Sequence, residues 1–352
     1  MTETAPASPA VPDAPDGTLV DSWRAADTRF EAVVAELARM RADAEIGATR
    51  AAVVNLVVLA AADAGATRAI DSIVGLGRHH PGRIIVIVPR GGAGDDDRMA
   101  AGLELYGSQV EDRSLWWDVV RLEIGGPVAG HAESLVEPLL LHDLPVALWL
   151  AGGTRRVDSP GLLDLAAQLI VSGERAASIS APATAEGLAG LVRRKPLSDL
   201  AWVATEPARQ ALARLFDAPE RAELLSGANR LRVEGPPWSS RLLAGWFCER
   251  TGLAPDSVEI ALGDDLRAEV GLGSLRAELE AGPVWPAGRV AADNPDPAGS
   301  GPGMAVARLG PTRVSVSHGG SATRRLLTAA LSRPWRDPRY ETALELAGRL
   351  GP

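Results

Sequence analysis

Val53-Val54-Asn55-Leu56-Val57-Val58-Leu59, followed by Gly77-Arg78-His79-His80-Pro81-Gly82-Arg83 running into Ile84-Ile85-Val86-Ile87-Val88, is the stretch that decides the fold. Both apolar runs are short, β-branched and continuous, the pattern of strands buried on two faces. Between them, Thr67–Arg78 carries Ile70, Ile73, Val74 and Leu76 at helical spacing. Pro81 cannot continue a helix, so the chain must turn before the second strand. Strand, helix and strand in that order make a βαβ unit with parallel strands. The unit resembles the opening of a nucleotide-binding domain, yet Gly75-Leu76-Gly77 closes a helix instead of opening one. That is the wrong end for holding phosphate on free amides.

Outward from this unit the alternation continues. Val119–Ile124 reads as a third strand, Ala129–His142 as a helix and Pro145–Leu150 as a fourth strand. Leu162–Gln168, Leu169–Ser172 and Thr184–Arg194 extend it, so residues 49–196 read as a mostly parallel βαβ-type α/β domain. Lys195-Pro196-Leu197-Ser198-Asp199 marks a boundary, with Ser198-Asp199 as a helix start. Residues 197–352 then read as a second, α+β domain. Its helices are Glu206–Phe216, Pro219–Leu225, Ser239–Thr251, Ser321–Leu331 and Pro338–Leu350. Its strands are Leu231–Glu234, Val258–Leu262, Ser274–Glu280, Ala305–Leu309 and Arg313–Ser317, in a succession that predicts antiparallel pairing. Gly91–Asp97 and Asn294–Gly303 are loops rich in turn residues. Towards the N-terminus, residues 1–18 read as a disordered tail. Residues 19–48 read as a docking helix with Phe30, Val33, Val34, Leu37 and Met40 on one face.

The 352 residues carry a formal charge of -9, against the basic face that a nucleic-acid binder needs. No run is long and apolar enough for a membrane helix, and no signal peptide is evident, so a cytoplasmic setting is expected. Lys195 is the sole lysine and Cys248 the sole cysteine, so an intrachain disulfide is excluded. Cys248 lies in an amphipathic pattern and reads as a buried structural thiol. No phosphate loop or nucleophile elbow occurs, and Asp95-Asp96-Asp97 reads as a solvated loop. The histidines read as helix-end residues, and a metal set from His79 or His80 with His131, Glu133 or Asp143 lacks local ligand spacing. No catalytic, cofactor-binding or metal-binding residue is assigned. Nine Trp stand against two Tyr and three Phe. Trp116 and Trp117 adjoin Asp112 and Arg113, and Trp23, Trp238, Trp285 and Trp335 fall near element edges. Most of the tryptophans read as core, while those near edges are of the type that anchors protein interfaces.

Arg50-Ala51-Ala52-Val53-Val54-Asn55-Leu56-Val57-Val58, His80-Pro81-Gly82-Arg83-Ile84-Ile85 and Leu139-Leu140-Leu141-His142-Asp143-Leu144-Pro145-Val146-Ala147-Leu148-Trp149 together resemble the glucose-6-phosphate dehydrogenase assembly (OpcA) family of actinobacteria and cyanobacteria. Leu197-Ser198-Asp199-Leu200-Ala201-Trp202, then Leu215-Phe216-Asp217, is similar to the start of that family's second half. Tyr340-Glu341-Thr342-Ala343-Leu344-Glu345 is similar to its ending. At Gly82 the family more often carries serine. The resemblance implies a non-catalytic partner that binds glucose-6-phosphate dehydrogenase, promotes its active oligomer and feeds the oxidative pentose phosphate pathway. Some relatives respond to redox state through cysteines, a switch that Cys248 alone cannot form within the chain.

Two alternatives differ in class. A sugar-phosphate or nucleotide-binding α/β enzyme would show a polar pocket beyond the strand ends near Ala60–Gly65, Pro89–Gly94 or Ala151–Asp158. A regulatory module for another partner would, like the assembly factor, expose an apolar patch containing tryptophan. Among candidate structural or interaction residues, His80, Pro81 and Arg83 are expected to order the crossover turn. Trp116 and Trp117 are the expected interface.

Overall fold

The computed structural model describes residues 17–44, 52–60, 73–89, 99–110, 113–151, 160–174, 181–282, 303–318 and 323–350. The chain divides into two compact units: Met1–Ala151 with Val157–Ala167, and Gly152–Arg156 with Gln168–Pro352. Several expected features lie outside the described residues: nearly all of the N-terminal tail, the first half of the Thr67–Arg78 helix, the Gly91–Asp97 loop with Asp95–Asp97, the 294–302 loop and Trp285.

The first unit begins with β1 (Thr18–Thr28), α1 (Phe30–Asp43), β2 (Val54–Leu59) and β3 (Gly82–Pro89). It continues through β4 (Met99–Val110), β5 (Arg113–Ile124), the short helix α2 (Glu133–Val136), β6 (Val146–Leu150) and α3 (Pro160–Leu165). Its strands lie in the order β1-β4-β5-β3-β2-β6. β2 pairs in parallel with both β3 and β6, and β3 in parallel with β5. Leu56, Val57, Val58, Ile85, Val86 and Leu148 are all 1% exposed or less, as continuous apolar strands covered on both faces require.

The edge of this sheet differs from the expected one. Thr18–Thr28 is a strand, not the first half of a docking helix, and pairs antiparallel with β4. The helical spacing belongs only to Phe30–Asp43, where Val33, Leu37 and Met40 are buried. Upstream, Thr18, Leu19, Val20 and Trp23 favour a strand, and two bulges fit it to its neighbour. β4 and β5 form an antiparallel hairpin that the 3.6-residue reading passes over, so the sheet is mixed around a parallel centre. Ala129–His142 is likewise not one helix. It is broken into short turns at Gly126–His131, Glu133–Val136 and Glu137–Leu139, with Pro138 inside the last.

The second unit holds β7 (Gln168–Val171), α4 (Ala181–Arg194), β8 (Leu197–Asp199), α5 (Leu200–Ala204), α6 (Glu206–Leu215) and α7 (Pro219–Leu225). Then come β9 (Ala228–Gly235), α8 (Pro237–Thr251), β10 (Val258–Leu262), β11 (Leu266–Leu272) and β12 (Leu275–Ala281). β13 (Gly303–Leu309), β14 (Thr312–His318), α9 (Thr323–Leu331) and α10 (Pro338–Ala347) complete it. Residues 168–196, expected in the first domain, group here because β7 pairs in parallel with β8, and Gln168 reaches Ser198 and the Ala330 carbonyl at 2.9 Å each. A six-stranded sheet runs β10-β9-β11-β12-β13-β14. Only β9 and β10, joined through α8, are parallel; the other pairs are antiparallel. One face of β11 and β12 is buried residue by residue and the other is exposed. Ion pairs such as Arg276–Glu269 and Arg308–Glu280 lie on the solvated side.

Candidate functional site

In the first unit, Arg83 at the end of the crossover turn centres a buried polar node. Register sets Arg83 of β3 directly beside Asp118 of β5, and Nε and Nη2 of Arg83 each lie 2.9 Å from Asp118 Oδ2. Nη1 donates to the Leu139 carbonyl. Both side chains of the pair are almost wholly out of water, at 6% and 1% exposure. Nearby, Asn55 of β2 donates to the Leu141 carbonyl at 3.0 Å and accepts from the Leu141 amide at 2.9 Å. This pins the turn in which Asp143 adopts a left-handed conformation with φ 62°. Arg83 and Asn55 therefore tie strands to the 139–144 loop.

The other expected residues separate. The His80 amide donates to the Leu76 carbonyl, closing the helical turn, and the Pro81 carbonyl accepts from Val53 at 2.8 Å. Trp117 is fully buried and stacks on Tyr106 at 5.7 Å between centroids, so it is a core residue in this fold. Trp116 beside it is half-buried. A Cβ on Gly82 would meet the Val54 carbonyl oxygen at 1.9 Å, so a serine there would force β2 and β3 apart. His131 is exposed and 3.6 Å from Glu133. Among the described residues no group of three or more His, Cys, Asp and Glu is placed to hold a metal ion.

The second unit contains a richer node that the sequence reading names only in pieces. Asp199 starts α5, accepting from the Ala201 amide at 3.0 Å as the expected helix start requires. It also accepts from the Gly173 amide at 3.0 Å, the Trp238 indole at 2.8 Å and the Tyr340 hydroxyl at 3.3 Å. Gly173 is needed for this approach, since a Cβ there would meet Trp238 at 2.3 Å and Asp199 at 2.4 Å. Glu174 accepts from the Trp238 and Ser239 amides at 2.9 and 2.8 Å, and from the Ser239 hydroxyl at 2.8 Å. It therefore caps α8, whose own N-terminal residues supply no side-chain cap. Burial pushes both carboxyls above the usual carboxylate range despite these donors. These partners are donors fixed by the fold, so this node holds elements together.

Beside it lies an open groove of about 510 Å³. Trp202 of α5 forms its floor. The Trp202 indole donates to Asp337 at 2.8 Å, while Asp337 caps α10 through the Arg339 and Tyr340 amides. Seven residues along, Arg209 lays its guanidinium 3.3 Å above the Trp202 ring centre. Arg209 donates to the Thr205 hydroxyl at 3.2 Å and the Trp202 carbonyl at 3.0 Å. Burial lowers its pKa to about 9. Arg333, Trp335, Arg336 and Arg339 form the rim, with Trp335 61% exposed. Trp335 is one of the edge tryptophans; Arg209 and Trp202, which share the groove, carry no sequence signal linking them to it. Trp238, also expected at an edge, is fully buried.

The model described as the glucose-6-phosphate dehydrogenase subunit N-terminal domain matches residues 74–185. The corresponding C-terminal domain model matches residues 195–344. No curated protein matches the chain. Among solved structures it is similar to KijD10, a 3-ketoreductase from Actinomadura kijaniata in complex with NADP and TDP-benzene. Identity is 10% and the TM-score 0.42, over 84% of this chain and 95% of that one. A point mutant of KijD10 in complex with the same ligands gives 12% and 0.43, over 85% and 96%. Likeness at that level carries no argument about activity. The two family models, in order and over most of the chain, decide the matter: the protein belongs to the glucose-6-phosphate dehydrogenase assembly (OpcA) family.

Proposed function

We propose that this protein is a non-catalytic assembly factor and activator of glucose-6-phosphate dehydrogenase, acting in the cytoplasm and favouring the active oligomer. The observation that carries the reading is the ordered pair of family models over residues 74–185 and 195–344. The polar nodes support it, because their buried groups are engaged in holding strands, loops and helix ends. Among the described residues no helix is long and apolar enough to cross a membrane. Activation of this kind needs tighter binding to the active assembly than to the inactive one. A tenfold shift in that equilibrium takes about 1.4 kcal/mol of differential affinity. Arg83, with His80 and Pro81, serves to order the crossover turn, and Trp116 is the part of the tryptophan pair assigned to contact.

The test is a titration of the protein into purified dehydrogenase from the same organism, following specific activity and oligomer mass together. Both should rise and saturate at one molar ratio. If neither moves, the reading fails.

A further inference from the structure

The Trp202–Arg209 groove is electrostatically incomplete in a specific way. Both lining carboxylates are committed: Asp337 to Trp202 and the α10 amides, and Glu206 to Arg333 through both oxygens at 3.0 and 2.9 Å. Arg209 is bonded only to neutral oxygens; Glu206 and Asp337 act on its charge from beyond ion-pair distance, and Arg333 and Arg339 oppose them. The Arg339 side chain has no hydrogen bond or ion pair with any described residue, while Arg336 spreads between Glu341 at 3.3 Å and the Arg193 carbonyl at 3.1 Å. Arg339 also sits in the first turn of α10, where the helix end already bears partial positive charge. Four arginines thus face two occupied carboxylates in a chain whose net charge is -9. At the rim, Trp335 exposes most of its surface between Pro334 and Arg336. Exposed tryptophan and arginine around a hollow are the composition of interface hot spots.

We propose that this groove is the docking surface for an acidic segment of the dehydrogenase, an inference that rests on the reading of this protein as its binding partner. The segment's carboxylates pair with Arg209 and Arg339, and Trp335 seats in an apolar hollow of the partner. Nη1 of Arg209 and the Arg339 guanidinium donate to no described group, so they are the donors left for an incoming carboxylate. The charge pattern selects an acidic partner and speeds its approach.

The experiment measures dehydrogenase affinity for the wild type, Trp335→Ala, Arg339→Glu and a control, Arg276→Glu, on the exposed face of the six-stranded sheet. Arg339→Glu replaces a cation by an anion at a helix N-terminus, so it should leave folding intact or strengthen it. Thermal melting of each variant verifies this. Trp335→Ala and Arg339→Glu should each weaken binding by about 30-fold or more, and Arg276→Glu by less than about 2-fold. Wild-type affinity should also fall as salt rises from about 0.05 to 0.3 M. Wild-type binding with both groove variants unaffected overturns the docking surface and leaves the assembly function standing. No wild-type binding overturns both. Titration with inorganic phosphate, read by tryptophan fluorescence, separates a small-anion pocket. Phosphate binding that Arg339→Glu abolishes, with dehydrogenase affinity unchanged, also overturns the proposal.

Discussion

Arg83 shows how much one side chain can be asked to hold. Its guanidinium bridges two strands through Asp118 and a loop through Leu139, both of them out of water. Removing one member of a buried pair strands the other charge, so Arg83→Ala should cost about 3–5 kcal/mol in urea unfolding. Replacing both, with Arg83→Met and Asp118→Leu, should recover most of that loss, since the desolvation of the pair disappears with it. A double variant as unstable as the single one would show that the Leu139 contact, and not the ion pair, is what the node supplies. The sequence places Arg83 at the turn but offers no sign of Asp118, which is 35 residues away and brought beside it only by strand register.

At the scale of elements, Glu174 is the sharpest case. It caps α8 from a distant segment, and burial holds its carboxyl above the ordinary range. A carboxyl whose folded pKa exceeds its unfolded value of about 4.3 contributes its stability fully below that value. The contribution is lost as pH rises through the folded pKa. Glu174→Gln should therefore lower the free energy of unfolding at acid pH by about 1–3 kcal/mol for the acceptor lost. The gap to wild type should be widest near pH 4 and narrow towards neutrality. A gap constant with pH would mean that Glu174 titrates like a solvated carboxyl. The helix itself was legible from Leu242, Leu243, Trp246 and Phe247; its cap was not, because nothing local supplies one. The same limit explains β1, whose strand identity comes from pairing with β4, and the β4–β5 hairpin, invisible to a reading that looked for parallel crossovers.

For the whole molecule, the parallel centre and the later antiparallel strands were legible because burial writes itself into composition, strand by strand. The Arg209 groove was not, since it joins α5, α6 and the α9–α10 connection, which only folding brings together. The single cysteine ties sequence to behaviour more directly. Cys248 is 4% exposed within α8, and burial pushes its thiol up to about 11. At neutral pH the reactive thiolate is then about one part in ten thousand, and no second cysteine exists in this sequence to receive it. A thiol reagent should label the folded protein orders of magnitude more slowly than the urea-unfolded chain. If the protein activates the dehydrogenase as proposed, oxidant and reductant should leave that activation equal, and Cys248→Ala should respond as the wild type does. A redox response that survives Cys248→Ala belongs to the dehydrogenase in the assay. One that vanishes with that substitution would show that α8 opens enough to expose the thiol, against the packing that now buries it.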